Sequence, residues 1–173
     1  MTREEALQQF CGRGFSRWLR RVAFGPLHSV ADFYIPFRVF KVAIDSSGKC
    51  HTRLMALESV TGSLDLYSLD GHTDDTVEVK TRNCVKPQLS DSEACEMVVN
   101  KVRRLLYSEG FFRLRDLRIT AEAIGQEVHI PYWVAFRGNG IEPEISIVDA
   151  IRRKPEGAKV RRLLEQWLAE TQA

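Results

Sequence analysis

The stretch Tyr34-Ile35-Pro36-Phe37-Arg38-Val39 comes back later in the chain as His129-Ile130-Pro131-Tyr132-Trp133-Val134. A β-branched and aromatic segment built twice around a proline constrains a chain of 173 residues to two copies of one supersecondary unit. Copies of roughly 70 to 85 residues are each marginal alone, so the pair is expected to share a core.

The flanks of the two stretches agree with this. Thr2-Arg3-Glu4-Glu5-Ala6 and Ser90-Asp91-Ser92-Glu93-Ala94 both have the Ser/Thr-x-x-Glu form of a capping box, in which the hydroxyl takes the third helical NH and the carboxylate reaches back to the cap. After the first, Leu7, Phe10, Cys11, Phe15, Trp18, Leu19 and Val22 recur at helical steps, which predicts a helix running to the stop at Gly25-Pro26. After the second, Ala94, Val98, Val102, Leu105 and Leu106 predict a helix to about Tyr107, ended by Gly110.

Residues 29 to 44 read as a long strand, with Pro36 at a bulge or on an unpartnered side. The turn Asp45-Ser46-Ser47-Gly48 returns it as a strand over 53 to 60, and 63 to 69 follow. Val77 to Lys80 alternates like a short edge strand. Phe112 to Ile119 suggests a strand with a bulge near Arg115-Asp116, then a turn at Ile124-Gly125-Gln126 and a strand over 127 to 137. Gly138-Asn139-Gly140 is a hairpin signal, and 145 to 151 form the strand back. In register, Val148-Asp149-Ala150-Ile151 falls where Leu57-Glu58-Ser59-Val60 stood. A last helix from Ala158 to about Glu170 carries Val160, Leu163, Leu164, Trp167 and Leu168 on one side and has no counterpart in the first copy.

The fold expected is α+β: two helix-plus-antiparallel-sheet repeats with pseudo-twofold symmetry and an extra C-terminal helix. The first repeat covers 1–69, a linker or edge segment 70–89, the second repeat 90–151, and a basic helix packed on the repeats 152–173. A capped helix followed by antiparallel strands, the last carrying Leu57-Glu58-Ser59-Val60-Thr61-Gly62-Ser63-Leu64, resembles the PepSY-like repeats of bacterial proteins, whose final strand often ends in an acidic-x-x-Thr-Gly turn. The second repeat departs from that pattern at Ile151-Arg152-Arg153. The resemblance implies an inhibitory or binding module and a place outside the cytoplasm. The residues imply a cytoplasmic chain, because Arg13, Arg17, Arg20 and Arg21 interrupt any apolar core of an export signal.

No run reaches the ~18 apolar residues of a membrane span. The 25 Lys and Arg balance 23 Asp and Glu to a net charge of +2, so overall charge attracts no polyanion. Cys11, Cys50, Cys84 and Cys95 are dispersed, with no Cys-x-x-Cys pair, and read as free, mostly buried thiols. No phosphate loop, nucleophile elbow, His-Glu-x-x-His helix or dinucleotide fingerprint occurs, and no catalytic residue, metal or cofactor is assigned.

The candidates that remain are few. Tyr34, Arg38, Tyr132, Trp133 and Arg137 offer aromatic and cationic groups for a ligand, although alternation turns half of such side chains inward. Arg152, Arg153, Lys154, Lys159, Arg161 and Arg162 place six cations in eleven residues against the single acid Glu156. That density suits an acidic protein partner, self-association or nucleic-acid phosphates, or else a solvated helix face. Cys50-His51 would need a bulge to meet as nucleophile and base. Asp70, His72, Asp74 and Asp75 fit no calcium-loop spacing and read as a solvated turn. The function expected is a non-enzymatic cytoplasmic module that binds a protein, a second copy or a small ligand in a cleft between the repeats. Nucleic-acid binding through the basic segment is the alternative, and an enzyme built on Cys50, His51 or His72 comes third.

Overall fold

The computed structural model describes residues 1–12, 18, 22–23, 25–46, 48–69, 76–108, 117–138 and 143–172. The chain is α+β. Its described elements are α1 (Arg3–Cys11), β1 (Leu27–Ser46), β2 (Lys49–Glu58), β3 (Tyr67–Ser68), α2 (Asp91–Ser108), β4 (Arg118–Arg137), β5 (Glu144–Asp149), β6 (Pro155–Glu156) and α3 (Ala158–Gln172). The strands form one six-stranded sheet in the order β3-β2-β1-β4-β5-β6. None of the described helices is long and apolar enough to cross a membrane.

Both helix starts carry the device read from the sequence. Thr2 Oγ1 accepts the Glu5 NH while the Glu5 carboxylate accepts the Thr2 NH, and Ser90 and Glu93 exchange the same two bonds at 3.4 and 3.1 Å. Each carboxyl is held below its ordinary range, Glu5 chiefly by the Thr2 NH and Glu93 chiefly by the Ser90 hydroxyl.

Three elements differ from the sequence expectation. The first helix does not run through to Val22: α1 ends at Cys11, where Gly12 turns out at φ 71 and ψ 176. Trp18, Val22 and Ala23 are again helical, and residues 13–17 lie outside the described ones. Val77 to Lys80 is exposed and belongs to no strand. Ile124-Gly125-Gln126 makes no reversal, because β4 continues through Gly125, which takes φ 69 inside the strand. The expected Arg115-Asp116 bulge and the Asn139-Gly140 turn fall outside the described residues.

Two compact units divide the chain, and their segments interleave. One comprises Met1–Ile35, Arg82–Val85 and Ile130–Ala173; the other comprises Pro36–Thr81 and Lys86–His129. Within the second, Phe40, Val42 and Ile44 of β1 and Met55 and Leu57 of β2 close a core against Ala94, Val98 and Val102 of α2. The spacing of those three helix positions keeps one stripe inward, as the sequence required. Burying side chains of this size contributes about 1.5–3 kcal/mol each for the larger ones.

Within the first unit, α1 sets Ala6 and Phe10 against Ala135 and Val148, with Trp133, Leu27 and Val30 around them. Trp133 and Val148 face each other across β4 and β5, as do Ala135 and Ser146, so α1 lies on the odd-numbered face of β4. The alternate pairs Tyr132 with Asp149 and Val134 with Ile147 belong to the opposite face. α3 packs on β5 and β6, burying Val160, Leu163 and Leu164. Its Trp167 ring lies 5.2 Å from that of Phe33.

Each proline of the repeated stretch is buried or half-buried in its long strand, and its carbonyl takes a bond from the residue after the returning strand. Ser59 N donates to Pro36 O and Ala150 N donates to Pro131 O, both at 3.0 Å. Pro36 also stands where the neighbour of β1 changes. Tyr34 bridges to Cys84, whereas pairing with β2 begins at Phe37. A residue without an NH suits that changeover.

Candidate functional site

The polar groups buried deepest hold turns. Glu58, fully buried, ends β2. Its Oε1 accepts the NH groups of Val60 and Thr61 at 2.5 and 2.7 Å, and its Oε2 accepts the Thr61 hydroxyl and the Ser63 NH, each at 3.0 Å. The acidic-x-x-Thr-Gly pattern is therefore a carboxylate that receives its own turn, with Gly62 at φ 65 supplying the left-handed step. A Cβ at Gly62 would meet Met97 Sδ.

Asp149, equally buried, ends β5. Its Oδ1 accepts the NH groups of Ile151 and Arg152, both at 2.8 Å. Its main chain closes the turn from both sides, taking the Arg153 NH and donating to Lys154 O, each at 2.9 Å. Oδ2 is buried and has no hydrogen-bond partner among the described residues. Burial raises the carboxyl above its ordinary value of 3.8, outweighing the Arg152 and Ile151 NH groups, the Arg152 charge and the N-terminal ammonium, which all lower it.

The turn that Asp149 holds presents the basic segment. Ile151 is 55% exposed, and Arg152, Arg153 and Lys154 are exposed beside it. Arg153 is the one non-glycine at positive φ among the described residues, at 57°, a conformation that costs an L side chain about 1–2 kcal/mol. Its carbonyl accepts from Gln9 Nε2 at 3.3 Å, a bond any residue would make. Its guanidinium lies 3.6 Å from Glu5 in an exposed pair, which returns little of that cost. Lys159 and Arg162 are exposed on α3, one helical turn apart. Arg161 is half-buried and donates to the Ile145 carbonyl of β5.

The aromatic and cationic candidates are placed differently. Tyr132 is 2% exposed in the core. Trp133 donates its indole NH to Met1 O at 3.1 Å, and Arg137, 5% exposed, donates to Phe10 O at 2.6 Å, closing the end of α1. Trp133 and Arg137 thus share the face under α1, and Tyr132 lies on the other. Tyr34 is half-buried, its phenol raised above 10.0 by burial and then by Asp32. Arg38 donates to Leu89 O at 3.2 Å and pairs with Asp91 at 2.6 Å. Arg38→Met is expected to lower unfolding free energy by about 1 kcal/mol in urea titrations, the scale of one half-buried bond and ion pair; no loss would mean that water replaces both.

Cys50 and His51 are exposed, and they stand across from Asp45 and Ile44, so they leave opposite faces of β2. Asp70, His72, Asp74 and Asp75 lie outside the described residues. Among the described residues no three His, Cys, Asp or Glu side chains gather as a metal site. Sequence reasoning passed over Ile151 and the turn-capping work of Glu58 and Asp149. The available signal was a carboxylate at the last residue of each returning strand, directly before a turn. No protein-family model, no curated protein and no solved structure matches the chain.

Proposed function

We propose that this chain is a non-enzymatic binding module, built from a duplicated αβ repeat with pseudo-twofold symmetry, that takes a protein partner on the surface formed by Ile151, Arg152, Arg153, Lys154, Lys159 and Arg162. The observation that carries the binding surface is an exposed aliphatic side chain, Ile151, set among exposed cations. Phosphate contacts need the cations alone, whereas a protein interface needs an apolar centre within a polar rim.

Duplication is supported by the matched bonds at Pro36 and Pro131, by Glu58 and Asp149 capping the turns that follow, and by the two capping boxes. The likeness to PepSY-like repeats, themselves regarded as inhibitory or binding modules, agrees with the binding role but not with the cytoplasmic location read from the residues. The aromatic and cationic side chains once available for a ligand are mostly engaged within the fold, which favours the outer basic surface over them.

Titrating labelled polyglutamate, single-stranded DNA and duplex DNA over a salt series tests the proposal. Polyglutamate is expected to bind at low salt, and changing Arg152, Arg153 and Arg162 together to Ala to weaken it about ten-fold or more. Binding to neither polymer, or binding unchanged by the triple variant, would remove the reading. Preference for DNA, with a salt slope that shrinks in the variant, would replace it by a nucleic-acid interface.

A further inference from the structure

The turns that follow β2 and β5 are closed by the same kind of carboxylate, yet they differ at the left-handed step: Gly62 occupies it in one and Arg153 in the other. In both, the residue lies four positions beyond the capping carboxylate. Glycine therefore serves this turn geometry without strain, and the arginine is the more strained occupant. Its ion pair with Glu5 is exposed and long, and its bond to Gln9 uses only the main chain.

The turn is also fixed before any partner arrives. Asp149 holds the NH groups of Ile151 and Arg152, the Arg153 NH returns to Asp149 O, and the Asp149 NH reaches Lys154 O. Four residues are thereby presented on a braced backbone, with Ile151 and the Arg153 side chain, 64% exposed, directed to solvent. Preorganised presentation lowers the ordering cost of binding, and guanidinium is suited to paired hydrogen bonds with carboxylate.

We infer that Arg153 and Ile151 form a recognition tip for an acidic protein segment that carries one aliphatic side chain, Arg153 taking a carboxylate and Ile151 the aliphatic group. This rests on the binding surface proposed above and names its specificity. Lys154, Lys159 and Arg162 supply general attraction around the tip.

The test compares two labelled peptides, a run of ten glutamates and the same run with its central residue replaced by leucine, using fluorescence anisotropy on the full chain. Thermal melts are recorded in parallel. Arg153→Gly and Arg162→Ala each remove one charge, but only the first touches the tip. Arg153→Gly is expected to melt no lower than the parent, since Gly62 fits the same step, and to bind the leucine peptide about ten-fold more weakly. Arg162→Ala should weaken it only about two-fold. Ile151→Ser should abolish the preference for the leucine peptide. Equal losses in the two arginine variants, or no preference for leucine in the parent, would overturn the tip while leaving the surface standing. Failure of the parent to bind either peptide would remove the surface and the tip together.

Discussion

Glu58→Ala is expected to lose about 3–5 kcal/mol of unfolding free energy. Three main-chain NH groups, of Val60, Thr61 and Ser63, point at one fully buried carboxylate. An NH left buried without an acceptor costs about 1–3 kcal/mol, and the bonds nearer the surface recover part of that from water. Against a typical stability of about 5–15 kcal/mol, such a loss brings the variant close to unfolding only at the lower end of that range. Glu58→Gln separates charge from geometry. Its amide oxygen can keep Val60 and Thr61, but its NH2 then faces the Ser63 NH, donor against donor, so it should lose about 1–3 kcal/mol. Urea titrations of the three proteins measure both differences, and a Gln variant as stable as the parent would contradict the four-bond arrangement.

Asp149 is expected to behave in the opposite way on amidation. Asp149→Ala strands the NH groups of Ile151 and Arg152 and should cost about 2–4 kcal/mol. Asp149→Asn keeps Oδ1, and its NH2 takes the place of Oδ2, which no donor occupies among the described residues. Because burial raises the folded-state pKa, the folded state binds more protons than the unfolded chain between the ordinary value of 3.8 and the raised one. The contribution of this group is thus fully present below the unfolded value and is lost as pH rises through the folded one. Asparagine, which does not titrate, should gain stability relative to aspartate as pH rises through that window. Melts of both proteins from pH 4 to pH 7 would show the gap widening in favour of asparagine; a gap that closes would mean that the carboxylate is stabilised as an anion.

What was legible in the sequence was whatever local chemistry decides. Thr2 with Glu5, and Ser90 with Glu93, announce helix starts because both halves of a capping box lie within four residues. The stripe Ala94, Val98, Val102 and the β-branched run into Ile44 likewise announce their own burial. Gly125 misled because positive φ serves both a reversal and a continuing strand, and only the neighbouring strands decide between them. Gly12 ended a helix whose apolar steps continued beyond it. Arg137 reads as a surface cation until Phe10, more than a hundred residues away, offers its carbonyl. The placement of Ile151 is equally non-local, since its exposure follows from how Asp149 folds the turn back on itself.

The interleaving of the two compact units sets an order of assembly. The unit formed by Pro36–Thr81 and Lys86–His129 draws on one nearly continuous stretch, so all its parts are available once residue 129 has been synthesised. The other unit needs Met1–Ile35 to meet Ile130–Ala173, a closure across the whole middle of the chain. Long closures are slow to form, and they are entropically cheaper once the intervening segment is already compact. During synthesis α1 must wait, its Phe10 and Ala6 uncovered, until the strands bearing Ala135 and Val148 arrive.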